Sequence, residues 1–213
     1  MGRRIIIDIE MPENRNYAGV IQLRDADTGE RLPGEWPAIG RAALTGPGNW
    51  RNPNTTRDPL QENGNTPTGT YDVPTWLPTG PGSLHPDAST YGANGVLPLI
   101  PVSGDAAKAA DNGRVGFLIH EGHTMANGEL MPTLGCERVY PGAVNEILDA
   151  INTYSQNGPN PSCELTEVTP QVGAPGANEC LSMGEEPPNS FLAEIGASSP
   201  SLPIERDVLR SFS

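Results

Sequence analysis

Three residues that can do acid, base or nucleophilic chemistry lie close together in one stretch of the sequence. His120, His123 and Cys136 fall within "FLIHEGHTMANGELMPTLGCERVYPG" of the 213-residue chain. An imidazole can accept a proton or bind a metal, and a thiolate can act as a nucleophile or a metal ligand. The spacing therefore allows three interpretations: a metal site, a structural cluster, or a nucleophile with its base.

The metal interpretation uses all three residues as zinc ligands. His120 and His123 are three positions apart, which would place them on one face of a helix, and Cys136 would complete the site. The local sequence argues against a helix, because Gly122 lies between the histidines and the preceding "FLI" is typical of a strand. The helix-borne metalloprotease motif also needs one more residue between its histidines. We therefore expect no metal and no cofactor, with a zinc-dependent peptidase as the alternative.

The structural interpretation treats Cys136 as a small buried thiol and the two histidines as ordinary loop residues. Isolated cysteines and histidines are often of this kind. It does not explain why Gly135 precedes the cysteine, why Arg138 follows it, or why His120 ends an apolar strand. For His123 the structural and functional interpretations both stay open.

The third interpretation makes Cys136 a nucleophile and His120 its general base. An imidazole can take the proton of a thiol when its other nitrogen is fixed by a carbonyl or a carboxylate. Gly135 would let a substrate approach closely, and backbone N–H groups near Cys136 would face a developing oxyanion. Arg138 would hold a substrate carboxylate through two parallel hydrogen bonds, with an ordinary ion pair as the alternative.

Short β-branched runs bounded by turn residues predict the strands that must position these side chains. We expect strands in "RRIIIDIEM", "YAGVIQLRD", "WPAIGRAALTG", "TGTYDVPTW", "GVLPLIPVS" and "RVGFLIHEG". Residues 46–69, rich in Asn, Pro and Gly, are expected to form a long loop, and His85 is expected to be a loop residue without a role. Helical spacing predicts a short helix in "DAAKAADNG" and a longer one near residues 142–154.

Composition predicts one mainly β domain with few helices, of the α+β class, followed by an extension. Hydrophobic residues make up 36% of the chain, which has 25 glycines, 23 prolines and a single long helical pattern. Later residues are acidic, rich in proline and without periodicity, so we expect a domain at 1–158 and a poorly packed extension at 159–213. In that extension a helix could form near "PIERDVLRSF", and Cys163 could pair with Cys180, leaving Cys136 free.

Charge and apolar runs exclude several classes of partner. The formal net charge of −13 leaves no basic excess for binding a nucleic acid backbone. We expect no membrane span, because no apolar run reaches about 18 residues. The start of the chain, "MGRRIIIDIEMPENR", has too short an apolar run for a secretory signal, which predicts synthesis in the cytoplasm as a soluble chain without an export signal. We also expect a monomer.

Segments around the candidate residues resemble the catalytic domain of the L,D-transpeptidases, the YkuD-like family of peptidoglycan enzymes. They are "GNTPTGTYDV", "GFLIH" and "TLGCERV", and the sixteen positions from His120 to Cys136 fall within the family's usual spacing. The N-terminal pattern of strand, hairpin and "ALTG" is also similar, so the resemblance covers about residues 4–155. It implies an L,D-transpeptidase-like β-sandwich or open barrel of antiparallel strands, with one helix after the cysteine.

The resemblance also implies roles for the matching residues. Cys136 takes the position of the nucleophile and His120 that of the general base, while Gly135 and Arg138 match the residues that flank the cysteine. Thr133 stands where the family usually has a serine.

The resemblance also bears on His123, Leu134 and Glu121. Together with Thr133 and Arg138, His123 is expected to contact the substrate. Leu134 and Glu121 depart from the family, which usually has a histidine before the glycine and often a glycine after the base. Without that histidine, a secondary proton relay and the details of substrate orientation would differ from the family. The nucleophile and its base are still present.

The implied reaction is attack of the Cys136 thiolate on the third residue of a peptidoglycan tetrapeptide stem, commonly diaminopimelate, with release of D-alanine. The thioester then passes to water, to the amine of another stem, or to a free D-amino acid. A catalytically silent wall-binding module is the alternative.

A narrower resemblance concerns the route to the substrate. The segments "YGANGVLPLIPVSG" and "NGRVGFLIHEG" are similar to those of L,D-transpeptidase-like toxins of the type VI secretion system. This implies an antibacterial effector that acts in the periplasm of a target bacterium. A periplasmic immunity protein and a component of the secretion apparatus would be its partners.

Overall fold

The computed structural model describes residues 2–45, 51–156 and 158–168, and these ranges contain eight strands and three helices. The strands are β1 (Ile5–Pro12), β2 (Gly19–Asp25), β3 (Arg31–Ile39), β4 (Gly69–Asp72), β5 (Val96–Ser103), β6 (Phe117–His120), β7 (Glu137–Val139) and β8 (Ser162–Val168). The helices are α1 (Ala88–Tyr91), α2 (Gly104–Asp111) and α3 (Ala143–Ser155).

The eight strands form one closed barrel in the order β1, β2, β3, β7, β6, β5, β4, β8, and β8 pairs back onto β1. The predicted mainly β fold with few helices is confirmed. The expected sandwich or open barrel of antiparallel strands differs from the structure in two respects. The sheet closes on itself, and the pairs β1–β8 and β6–β7 are parallel.

Strand β1 shows how the sequence builds the barrel wall. Ile5, Ile7 and Ile9 are at most 1% exposed and belong to the core, because alternate residues of a strand face opposite sides. On the outer side, Asp8 accepts hydrogen bonds from Arg24 of β2 at 2.7 and 2.8 Å. The apolar alternation and this ion pair agree on the register of β1 and β2.

Strand β8 belongs to the barrel, although it lies beyond residue 158. The composition predicts an extension that begins at residue 159, whereas residues 162–168 pair with both β1 and β4. Cys163 and Leu165 are buried in the core, and Glu164 accepts a hydrogen bond from Arg24 on the outer surface at 2.8 Å. Because only these two residues of β8 are apolar and buried, the alternation is too short to stand out from the acidic sequence around it.

Strand β3 begins earlier than the sequence predicts. The predicted strand covers residues 36–46, but β3 runs from Arg31 to Ile39 and passes an irregularity opposite β2. Its first half contains a proline and a glycine, which favour a turn when pairing partners are unknown. Beyond Ile39, the described part of this segment makes isolated bridges at Ala42 and Thr45.

Helix α3 packs its apolar side against the barrel. Val144, Ile147 and Ile151 are buried at helical spacing, which confirms the helix predicted near residues 142–154. The N-cap residue is Gly142, so no side chain at that position caps the helix. Among the helices of the described ranges, none is long and apolar enough to cross a membrane.

Some expectations concern residues outside the described ranges. Cys180 and the predicted helix near the end of the extension lie there. Cys163 is described, and its thiol is wholly buried in the barrel core. Burial raises the pKa of this thiol well above its usual value, so Cys163 is held protonated.

A carboxyl group lies inside the barrel, directly after Cys136. Glu137 is 0% exposed, and neither of its oxygens makes a hydrogen bond of ordinary geometry within the described ranges. Burial raises the pKa of Glu137 to about 7, and the neighbouring Arg15 charge and Thr66 hydroxyl limit that rise. The barrel therefore holds a carboxyl group that ionises near neutral pH.

We expect Glu137→Gln to stabilise the fold near pH 8 and to change little near pH 4. As the pH rises from the ordinary carboxyl pKa through the raised one, the native state must hold a buried charge that the unfolded chain exposes to water. The difference between 4.5 and about 7 corresponds to roughly 3 kcal/mol of unfolding free energy. Urea unfolding of both proteins at the two pH values measures it. Equal stabilities near pH 8 would contradict this view of Glu137.

Candidate active site

His120 ends β6 and points away from the barrel core. Because the preceding Ile119 belongs to the core, strand alternation places the imidazole on the outer side of the wall, where it is still only 2% exposed. Its Nδ1 is hydrogen-bonded to the carbonyl oxygen of Glu121, which can only accept. Nδ1 therefore carries the proton, and Nε2 offers the lone pair that a general base needs.

The surroundings of His120 keep the imidazole neutral. Burial and the positive charge of Arg138 lower the pKa of His120 to about 3, although the bond to the Glu121 backbone opposes the shift. His85 adds a smaller effect in the same direction as burial. The imidazole therefore stays unprotonated, with the lone pair on Nε2 free, at any pH above about 4.

Cys136 lies on the same face of the wall, one strand away. The parallel register pairs His120 with Arg138, so two residues earlier Cys136 lies level with Leu118. Side chains two residues apart on a strand share a face, which brings the thiol and the imidazole to the same side. The Cys136 thiol faces the carbonyl oxygen of Gly116 at 3.7 Å and makes no direct hydrogen bond to His120 in this arrangement.

The thiol is protonated at rest. Burial raises the pKa of Cys136 to about 11, although a backbone hydrogen bond with Leu118 and the charges of Arg138 and Arg114 lower it in part. The thiol and the imidazole on the same face of the wall are thus both neutral at rest. In a cysteine mechanism, proton transfer from this thiol would accompany attack on the substrate, and no stable thiolate and imidazolium pair would form beforehand.

Thr133 holds the turn that carries Cys136. Its Oγ1 accepts hydrogen bonds from the N–H groups of Gly135 at 3.1 Å and Cys136 at 3.0 Å, and it donates to the Cys136 carbonyl at 2.8 Å. Thr133 is only 7% exposed, so the structure favours a turn-forming role over the predicted substrate contact. The two N–H groups that the sequence assigns to an oxyanion are occupied by this hydroxyl.

Gly135 makes room for a neighbouring side chain. Its φ of 114° lies in the region that favours glycine, and a Cβ there would be 1.9 Å from Nη2 of Arg114 and 2.8 Å from the Gly64 carbonyl. The predicted role was to admit a substrate. In the structure, the space beside Gly135 is filled by the Arg114 guanidinium.

Arg138 and His123 order the loops over the site. Arg138 is 5% exposed and donates to the backbone oxygens of His123 at 3.2 Å and Thr90 at 3.5 Å. These bonds tie the segment after β6 and the end of α1 to β7. A substrate carboxylate would have to displace them, and the described contacts use His123 through its backbone.

Tyr91 and His85 join the site without having been predicted as part of it. The Tyr91 ring meets the His120 imidazole edge-on with centroids 5.3 Å apart, and His85 contacts Tyr91 at 4.9 Å. Burial raises the pKa of Tyr91, and the nearby Cys136 sulfur raises it further. The segment before β5 brings both rings over the barrel wall. Their spacing in the sequence matches no catalytic pattern, so the sequence alone does not predict them.

Leu134 forms the exposed tip of the turn before Gly135 and Cys136. It is 48% exposed, and Val115, which follows Arg114, is 39% exposed. Where the family usually has a histidine, this chain therefore presents an apolar side chain that cannot transfer a proton.

Glu121 links the segment after His120 to helix α3. Its Oε1 accepts from the backbone N–H groups of Gly142 at 2.9 Å and Val144 at 3.1 Å, which caps the helix from outside. Asn94 donates to both carboxylate oxygens at 3.1 and 3.0 Å. Glu121 therefore anchors the segment that holds His120 through a backbone carbonyl. It stands where the L,D-transpeptidases often have a glycine.

We expect Glu121→Ala to lower the unfolding free energy by about 2 kcal/mol, because it leaves buried helix donors without a partner. Asn94→Ala, which removes the side-chain donor to Glu121 and the acceptor of an exposed bond from Asn145 but keeps the helix cap, should cost about half as much. Urea unfolding of both variants measures the difference. Equal losses would show that the helix cap adds nothing.

The three residues of the zinc alternative are not arranged as ligands. Within residues 2–45, 51–156 and 158–168, no group of three or more His, Cys, Asp or Glu side chains could hold a metal ion. His120 also has its Nδ1 engaged with a carbonyl oxygen.

Comparisons with known proteins place few constraints on this site. No family model matches the chain, and no curated protein matches its sequence. Among solved structures, the chain is similar to a mutant of the helical cell shape determining protein Pgp2 from Campylobacter jejuni, at 15% identity and a TM-score of 0.42. The match covers 86% of this chain and 53% of the other, so the chain spans about half the length of that protein. A likeness this weak carries no argument about function.

Proposed function

We propose that the chain is a cysteine acyltransferase acting on peptidoglycan stem peptides as an L,D-transpeptidase or L,D-carboxypeptidase. The observation that carries the proposal is the arrangement across β6 and β7. His120 has Nδ1 fixed on a carbonyl, and the Cys136 thiol faces the same side of the wall. The resemblance of "GNTPTGTYDV", "GFLIH" and "TLGCERV" to the L,D-transpeptidases supplies the reaction class.

The proton path follows from the tautomer of His120. As the Cys136 sulfur attacks the carbonyl of the third stem residue, its proton passes to Nε2 of His120. When the tetrahedral intermediate collapses, the bond to the fourth residue breaks and the imidazolium returns the proton to the leaving amine of D-alanine. The products are D-alanine and a thioester on Cys136.

The thioester has three outcomes. Water regenerates Cys136 and leaves a shortened stem, the amine of another stem forms a crosslink, and a free D-amino acid replaces the lost D-alanine. Shortening and exchange both remove donors that other transpeptidases need for normal crosslinks. A toxin would be expected to favour these two outcomes.

We also propose the setting of an antibacterial effector. The resemblance of "YGANGVLPLIPVSG" to type VI secretion toxins supports it. The enzyme would then be secreted by its producer and act in the periplasm of a target cell. An immunity protein and a secretion component would be its partners. Toxicity on periplasmic but not cytoplasmic expression, relieved by a co-expressed neighbouring gene product, would test this setting apart from the chemistry.

Incubating the purified chain with tetrapeptide muropeptides, followed by mass spectrometry, tests the reaction. We expect loss of the mass of one alanine, or gain of a crosslinked or exchanged product. Adding a free D-amino acid of distinct mass separates exchange from hydrolysis. Unchanged muropeptides, with the protein folded and its thiol reduced, would contradict the enzymatic proposal.

The second candidate is a wall-binding module without turnover. One observation favours it, since Thr133 occupies both N–H groups that an oxyanion would use. Trapping separates the two candidates. A working site should form a covalent adduct between Cys136 and a carbapenem, whereas a silent module should bind peptidoglycan and leave the carbapenem intact.

A further inference from the structure

Two buried arginines flank the turn that carries Cys136, and both lack an acidic partner. Arg114 is 7% exposed and Arg138 is 5% exposed. Among the ion pairs of the described residues, neither guanidinium has a carboxylate within 4 Å. Burying a cation without a counter-ion is costly, so a fold that keeps two of them beside one thiol calls for an explanation.

The contacts of Arg114 are all with neutral groups. It donates to the backbone oxygens of Pro59, Gly64 at 2.6 Å and Asn65 at 2.8 Å, and its guanidinium lies 4.9 Å from the centroid of the Phe117 ring. These contacts satisfy the N–H groups and fix the plane of the side chain. They leave its positive charge without a direct ion pair, although the Asp58 carboxylate acts on it from a longer distance.

The position of Arg114 is set by the residue before the nucleophile. A Cβ on Gly135 would lie 1.9 Å from Nη2 of Arg114, so the guanidinium rests directly against the Cys136 turn. Among the ionisable groups that act on Arg114, Cys136 has the strongest influence, and the same holds for Arg138. Both charges therefore act on the same sulfur, Arg138 more strongly than Arg114, while the adjacent Glu137 carboxyl opposes them.

We propose that Arg114 is the buried counter-charge for the negative charge that develops on Cys136 during acyl transfer, with Arg138 acting from the neighbouring strand. The proposal rests on the proposed role of Cys136 as the nucleophile. It names Arg114 as a positioning residue, because it acts on the substrate only through the charge of the sulfur and the turn beside it.

This role accounts for how negative charge is tolerated in the turn. The N–H groups of Gly135 and Cys136 already donate to Thr133, so they give little stabilisation to a new negative charge unless the hydroxyl moves. When the thiol proton passes to Nε2 of His120, the sulfur becomes an anion next to Arg114. A fixed charge needs no rearrangement at that moment, which is the advantage of a preorganised site.

The pH dependence of Cys136 alkylation by iodoacetamide tests the proposal without using peptidoglycan. Mass spectrometry of the peptide containing Cys136 gives the rate at that residue alone. We expect Arg114→Met to lower the alkylation rate near pH 8 by roughly tenfold and to move the profile about one unit toward alkaline pH. Arg114→Lys, which keeps the charge but loses the fixed plane, should stay within about threefold of the original rate.

Arg31→Met is the matched control, because it removes the same charge from an exposed site paired with Glu10 on the outer wall. Its profile should equal that of the original protein. If Arg114→Met does not fold, Arg114→Gln, which keeps N–H donors but loses the charge, decides the matter. A profile moved toward alkaline pH supports the counter-charge, and a profile equal to that of the original protein overturns it.

The outcomes also separate this proposal from the proposed function. Identical profiles for the original protein and folded Arg114→Met would overturn the counter-charge, whatever the protein does to muropeptides. A shifted profile without any muropeptide turnover would keep the counter-charge and reject the enzyme.

Discussion

Cys136→Ala is expected to abolish D-alanine release from tetrapeptide muropeptides, a loss on the order of a thousandfold or more. Without the sulfur no thioester can form, so hydrolysis, crosslinking and exchange all stop together. The fold should survive, because the side chain is only partly buried and the thiol makes only weak contacts, at 3.7 Å to the Gly116 carbonyl and with the backbone of Leu118. Muropeptide mass spectrometry and a thermal melt of the same preparation measure both effects.

Cys180→Ala is a suitable control, because it removes the same functional group at another position of the chain. We expect it to keep full activity and full labelling at Cys136. If Cys136→Ala retained the activity of the original protein, a cysteine mechanism would be wrong.

His120→Ala is expected to lower the turnover rate by about 100-fold to 10,000-fold, the usual contribution of a general base. The reason is that the Cys136 thiol, with its pKa raised to about 11, would have no group to take its proton during attack. Single-turnover kinetics with saturating muropeptide measures the chemical step apart from binding.

His123→Ala is the matched control for His120→Ala. The described contacts of His123 are made by its backbone oxygen, which the substitution keeps, so the rate should fall by less than about fivefold. Equal losses at both positions, together with inhibition by a chelator, would revive the zinc alternative. The pH profile is a second check, since a pKa of about 3 for His120 predicts that activity persists well below pH 6.

The sequence carries the parts of the fold and site that depend on local pattern. Alternation along β1, helical spacing in α3, and the strand that ends at His120 are all visible in consecutive residues. The pair His120 and Cys136 follows from residue type, spacing and family resemblance. Once β6 and β7 are known to be neighbours, strand alternation places both side chains on one face of the wall.

The rest depends on contacts between distant residues. Arg114 becomes part of the site because it fills the space beside Gly135, and Glu121 because its carboxylate reaches the first turn of α3. Tyr91 arrives from the end of helix α1. None of these partners can be read from neighbouring residues. Thr133 shows the opposite case, since its position is visible from the resemblance to the L,D-transpeptidases, whereas the turn that its hydroxyl holds is visible only in the structure.

Closure of the barrel by β8 has a consequence for how this chain acquires its structure. The first strand, β1, pairs in parallel with residues 162–168, so one of its edges stays open until nearly the whole described chain has been made. Such long-range pairing slows folding, and open edges invite association with other chains. The barrel can therefore close only after residues 162–168 have left the ribosome, and until then the open edges of β1 and β4 are available to other chains.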